Sequence, residues 1–231
     1  MSFTARALSL LAALMLAAGP VAAASRSSGT QIHPKVKSKE KTIRQVLLLP
    51  AQVEIQRSGM KGGEGMLKES EDVSLKILDA VGKALKDRGF QVADKPPAAA
   101  GDEAQYSLAS LQKRYDAVAV QLHKRMKDVS KGRFTLGDEV ANYGPAAATD
   151  SVLFVRGQGT QLTGGKKAFG ILVAGAKAST MRCYVTLVDS KSGEVLFTTM
   201  VFVTGGGFID RTEEVFRKPL AKALQKIPAA T

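Results

Sequence analysis

Apolar positions along this chain follow two periods, and the switches between them mark out its elements. Val152-Leu153-Phe154-Val155 is an unbroken apolar run that suits a strand buried on both faces. Tyr184 to Val188 and Val195 to Val203 are rich in β-branched and aromatic residues, with the polar turn Asp189-Ser190-Lys191-Ser192-Gly193 between them. That arrangement predicts a β-hairpin and places the centre of a sheet over 150–203. Upstream, Val46-Leu47-Leu48-Leu49 predicts a buried strand stopped by Pro50, which has no amide to donate. Gln52 to Gln56 alternates polar and apolar and predicts a half-exposed edge. Arg57 to Met66, carrying Gly59, Gly62, Gly63 and Gly65, reads as a mobile loop.

A helical period takes over at Ser70, an acceptable N-cap followed by Glu71 and Asp72, whose charge suits the first turn. Val73, Ile77, Val81 and Leu85 form one apolar stripe, with Leu78 and Ala84 beside it, and Gly89 fits the left-handed position after the helix. Phe90-Gln91-Val92 then predicts a short strand, and strand, helix, glycine, strand is an α/β order. Residues 94–101 read as a linker. A second helix is expected from about Ser107 to Lys127, with Leu108, Leu111, Tyr115, Val118, Leu122 and Met126 packed on the sheet rather than in a coiled coil. Lys113, Arg114, Lys124, Arg125 and Lys127 decorate its other faces and read as solvated, with cationic membrane contact as the alternative. A third, short helix is expected around Asp138 to Tyr143, ended by Gly144-Pro145. The last helix has Asp210 as N-cap and Glu213 in a capping box, and it buries Val215, Phe216, Leu220, Ala223 and Leu224. Pro219 within it should kink it or divide it.

Composition changes the picture at the front of the chain. Arg6, the apolar run Ala7 to Ala18 and small residues up to Ala24 follow the plan of a secretory signal, so 1–24 is expected to be removed on export. The alternative is an N-terminal membrane anchor. The destination would be periplasmic or secreted. The net charge is +12, and much of it lies in 25–44, where Arg26, Lys35, Lys37, Lys39, Lys41 and Arg44 face Glu40 alone. This stretch has little to bury and reads as a flexible basic arm, either a solubilising tail or a lure for anionic lipid, polymer or an acidic partner. No aromatic side chains interleave with its cations, so a nucleic-acid role is not expected. The one cysteine, Cys183, rules out an internal disulfide and reads as a buried, inert thiol.

Sequence motifs for chemistry come close and fail. Gly159 to Gly164 and Gly170 to Gly175 resemble phosphate loops, but the lysine is displaced by one position in both. Gly157-Gln158-Gly159 lacks the third glycine of a dinucleotide fingerprint. His33 and His123 have no ligand-spaced neighbours and read as surface histidines, so no metal, no cofactor and no catalytic residue is nominated. Asp138-Glu139 and Glu213-Glu214 are explained by helix starts. A Gly-rich insert near 163–180 interrupts the sheet pattern and carries the residues nominated for partner binding: Lys166, Lys167, Phe169, Ile171, Leu172 and Val173.

Two stretches carry a resemblance. Thr149-Asp150-Ser151-Val152-Leu153-Phe154-Val155-Arg156-Gly157 and Leu187-Val188-Asp189-Ser190-Lys191-Ser192-Gly193-Glu194-Val195-Leu196 resemble the "D, apolar run, G" and "lvD-x-x-TGE-vl" patterns of the curli-secretion lipoprotein (CsgG-like) periplasmic domain. The penicillin-binding-protein activator lipoproteins and the amino-terminal domain of the Tol propeller protein belong to the same group. The resemblance spans roughly 45–226, and this chain lacks the lipobox cysteine. The expectation is a single α/β domain over 45–231: a two-layer sandwich, with a mixed sheet of about five strands and helices mainly on one face. The expected function is a non-enzymatic envelope protein that binds a partner protein in outer-envelope assembly or trafficking. A binder of anionic envelope polymer or membrane surface, acting through the basic arm, is the second reading. A hydrolase with a dispersed site is the third.

Overall fold

In the computed structural model, which describes residues 25–59, 62–93, 102–162, 179–204, 209 and 214–229, the apolar run at Val152–Val155 opens a long strand, here β6 (Ser151–Leu162). In chain order the other elements are β1 (Ser25–Ile32), α1 (Pro34–Lys37), β2 (Gln45–Leu48), β3 (Gln52–Gly59), β4 (Gly62–Gly65), α2 (Leu67–Lys86), β5 (Gln91–Ala93), α3 (Asp102–Lys124), β7 (Thr180–Asp189), β8 (Val195–Thr204) and α4 (Glu214–Leu224). Two 3-10 turns, Met126–Lys131 and Gly144–Ala148, join α3 to β6.

β6 is the spine of the sheet. On one side it pairs antiparallel with β7, which pairs antiparallel with β8 through the expected Asp189–Gly193 turn. On the other side its first residues run parallel to β2 and its later ones parallel to β3, with Leu49-Pro50-Ala51 breaking the two apart. β5 lies parallel outside β2, β4 folds back on β3, and β1 lines the far edge against β8. The sheet is mixed, as expected, but has eight strands among the described residues rather than about five.

The first half of β6 faces two cores. Leu153 and Val155 point into one with Val46 and Leu48, while Val152 and Phe154 point into the other with Leu47 and Leu49. α2 and α4 cover the first core, and α3 with its following turns covers the second. The expected two layers with helices mainly on one face are therefore corrected to three layers. Central strands apolar on both sides need cover on both sides.

The flexible arm at 25–44 is also corrected. β1 pairs with β8 over Ser25 to Ile32, and Val36 and Ile43 are buried in the first core, 2% and 4% exposed. Residues 25–44 are thus part of the folded unit that was expected to start at Gln45. A polar edge strand is held by backbone hydrogen bonds, which leave no apolar period to read. The glycine-rich loop at 57–66 is a β3–β4 hairpin for the same reason.

Helix starts differ in detail. α2 begins at Leu67, and Ser70 sits inside it, its hydroxyl donating to Met66 O at 2.6 Å and accepting from Ile55 N at 3.0 Å. Gly89 adopts the expected left-handed conformation at φ +84°. Around Asp138 there is a turn, not a helix, and a 3-10 turn begins at Gly144 instead. α4 runs through the buried Pro219 as one element, while its expected caps, Asp210 and Glu213, lie outside the described residues.

Candidate functional site

Both histidines are structural rather than free surface groups. His33 is 3% exposed; its Nδ1 accepts from Lys35 N at 3.2 Å as the N-cap of α1, and its Nε2 faces Gly132 without a hydrogen-bond partner among the described residues. Burial holds its pKa below the usual histidine value. Around it, the cations of the presumed arm meet the carboxylates of the β7–β8 hairpin. Lys35 Nζ lies 2.8 Å from Glu194, and Lys41 Nζ lies 2.5 Å from Asp189. Charges that read as a solubilising tail are in part staples that tie residues 33–41 to the hairpin.

His123 lies at the end of α3 and stacks on Tyr184 of β7, centroids 3.6 Å apart. Two helical turns earlier, Asp116 pairs with Arg156 at 2.6 Å. Tyr115 stacks on Phe154 at 4.4 Å and donates to Thr186 Oγ1 at 3.0 Å. Burial, aided by the Arg156 charge, lowers the His123 pKa to about 4. A base with its folded pKa below the unfolded value of ~6.5 contributes full stability above that value and loses it as pH falls toward 4. The wild-type unfolding midpoint in urea should therefore drop between those pH values, and His123→Phe, which keeps a stacking ring, should flatten part of the drop. Parallel pH profiles for the two proteins would show that this ring does not sense pH.

Neither the thiol nor the glycine pairs offer reactive geometry. Burial pushes the Cys183 thiol up to about 12. Gly157 and Gly159 lie within β6 rather than in a phosphate-cradling loop. At Gly157 an added Cβ would come within 2.5 Å of Met181 Cε and 3.0 Å of Val53, so close packing explains that glycine. Among the described residues, no three His, Cys, Asp or Glu side chains gather where a metal could bind.

What the strand register does assemble is a polar groove. Beyond Arg156 and Tyr184 the sheet runs on, and Glu54, Gln158, Arg182 and Phe202 fall side by side across β3, β6, β7 and β8. The next row is Gln56, Thr160, Thr180 and Thr204. Glu54, Gln56, Gln158, Gly159, Thr160, Thr180 and Arg182 line a concavity of about 340 Å³. Gln56 Nε2 donates to Glu54 at 2.9 Å, and the Arg182 guanidinium lies 5.3 Å above the Phe202 ring. Val53, Ile55, Met181 and Val203, on the alternate positions, anchor these strands from the first core. Carboxamides, hydroxyls, a carboxylate and a guanidinium on a rigid sheet suit hydrogen-bonded recognition of a surface.

Sequence reasoning missed this groove. Its only trace was the alternation Arg156, Gln158, Thr160 between apolar or glycine positions, and the partners across the sheet come from register. The nominated residues Lys166, Lys167, Phe169, Ile171, Leu172 and Val173 lie outside the described residues. The chain leaves β6 at Leu162 and returns at Ser179, next to the groove residues Thr160 and Thr180.

No protein-family model matches the chain, and no curated protein matches it. Among solved structures it is similar to the PelC dodecamer from Paraburkholderia phytofirmans. A point variant of PelC in space group C2 gives 11% identity over 90% of this chain and 99% of that one, with a TM-score of 0.41. A second PelC structure, in space group P6, gives 12% identity at the same coverages, with a TM-score of 0.40.

Proposed function

We propose that this chain is an exported, non-enzymatic binding protein of the cell envelope that docks a partner protein on the polar groove at the open end of its sheet. One observation carries the reading. The strands β3, β6 and β7 extend past α3 and present Glu54, Gln158 and Arg182 to solvent from a backbone fixed by the core behind them. A preformed surface of paired donors and acceptors costs little ordering on binding and selects its partner by geometry. The leader-like residues 1–24 support export, and the likeness of the hairpin motif to the curli-secretion group supports a role in envelope assembly.

A photo-cross-linking residue at Gln158 or Thr160 tests this in intact cells, with Lys86 on α2 as the control position. The expected result is one discrete protein adduct from the groove positions, absent from the control and lost when Arg182→Glu is added. Equal adducts from groove and control, or an adduct indifferent to Arg182, would remove the groove from the docking surface.

A further inference from the structure

The outward face of α3 has a composition that the groove does not explain. Its inner stripe, Leu111, Tyr115, Ala119 and Leu122, is buried on the sheet. On the outside, Tyr106, Lys113 and Val120 recur every seven residues, and Lys124 follows one turn later, so all four share one face. Tyr106 is 79% exposed and Val120 is 53% exposed, two of the few large apolar side chains so open to water among the described residues. Between Gln105 and Lys124 the only carboxylate is Asp116, and it is tied to Arg156 on the sheet side.

The charge continues past the helix end. In the turn Met126–Lys131, Asp128 takes Arg125 at 2.5 Å and Lys131 at 3.5 Å. Exposed Lys113, Lys124 and Lys127 make no ion pair among the described residues. The face therefore combines unneutralised lysines with an exposed tyrosine and valine on a helix whose other side is locked down.

We infer that this face rests on a bilayer containing anionic phospholipid, the lysines reaching the headgroups and Tyr106 and Val120 meeting the acyl boundary. A second copy of the chain is disfavoured because like charges would meet. A soluble polyanion would use the lysines but leave the two apolar side chains without a role. At a bilayer surface, long ammonium stems spread over the headgroups while an amphipathic ring sits at their depth. Near an anionic surface each lysine contributes roughly a fivefold gain in binding, so three together give on the order of a hundredfold. This proposal stands apart from the groove: either can fail without the other.

The test uses the full chain and vesicles of phosphatidylcholine with or without phosphatidylglycerol, read by co-sedimentation at low and moderate salt. Binding should be at least tenfold tighter with phosphatidylglycerol and weaken with salt. Lys113→Glu with Lys124→Glu and Lys127→Glu should abolish that gain, and any contribution of residues 1–24 is common to both proteins. Tyr106→Ser with Val120→Ser should weaken vesicle binding several-fold while leaving binding to soluble polyglutamate unchanged. All five positions are exposed, so thermal unfolding should be unaltered and verifies that the variants fold. Equal binding to the two vesicle types, or a triple variant that binds like the wild type, overturns the proposal. So does binding that is indifferent to Tyr106 and Val120, which would leave a plain polyanion site.

Discussion

Replacing Gly193 by alanine is expected to destabilise the fold by about 3–5 kcal/mol, combining left-handed strain with overpacking. Gly193 closes the β7–β8 hairpin at φ +67°, where a side chain is disfavoured in any surroundings. Here the surroundings add a second obstacle. The segment 134–137 crosses directly over the turn: Leu136 N donates to Gly193 O at 2.8 Å, and Val195 N donates to Phe134 O at 2.9 Å. An added Cβ would overlap the Gly137 carbonyl oxygen and come within 2.8 Å of its nitrogen. These are backbone atoms, which cannot swing aside as the end of a side chain can. For a domain of this size the melting temperature should fall by roughly 10 °C. Gly144→Ala is the control, because among the described residues nothing beyond its own chain neighbours lies within 4 Å of the new Cβ. A Gly193→Ala protein that melts with the wild type would mean that the crossing is loose.

Asp189→Ala should cost about 2–4 kcal/mol, because it strands three donors at once. The carboxylate is 5% exposed; Oδ1 accepts from Lys191 N and Ser192 N at 2.9 Å each, and Oδ2 faces Lys41 Nζ. Burial opposes its ionisation, but Lys41 and the two amides outweigh that and hold the carboxyl below its usual range. An acid with a depressed folded pKa stabilises above its unfolded value, near ~3.9, and loses that contribution as pH falls through the folded one. Asp189→Asn keeps an acceptor for the amides but loses the ion pair, so its deficit should be smaller at neutral pH and should shrink further in acid. Urea unfolding of the three proteins across that range measures this. An Asp189→Ala deficit within about 0.5 kcal/mol, the range of ordinary surface substitutions, would show that the turn stands without its carboxylate.

These two residues also show what could be read in advance. Asp189 and Gly193 were recognisable as a hairpin turn because turn chemistry is local: a carboxylate reaching amides two and three residues on, and a glycine where φ is positive. That Lys41 pairs with Asp189, or that Gly137 lies over Gly193, joins residues far apart in sequence, and no local pattern encodes it. The helix α2 was legible because Val73, Ile77, Val81 and Leu85 meet one core at the helical period. β1 and β4 were illegible because Ser-, Gly- and Thr-rich edge strands bury little side chain, and their neighbours supply the backbone partners. The candidate groove was hidden for a related reason. Gln158 announces only that it is polar, and Glu54 and Arg182 become its neighbours through pairing register.

By itself the amino-acid order determined the α/β alternation, the central apolar strands, the hairpin and the faces of its long helices. Each of those follows from side-chain burial or turn geometry within a few residues. The tertiary structure alone decided that the described residues form an eight-stranded sheet covered on both faces, and that the basic segment at 25–44 is pinned to it. It also decided which polar side chains gather beyond α3 and which lysines stay unpaired. Those outcomes depend on pairings between distant segments, whose free energy resides in contacts that exist only after the chain has closed on itself.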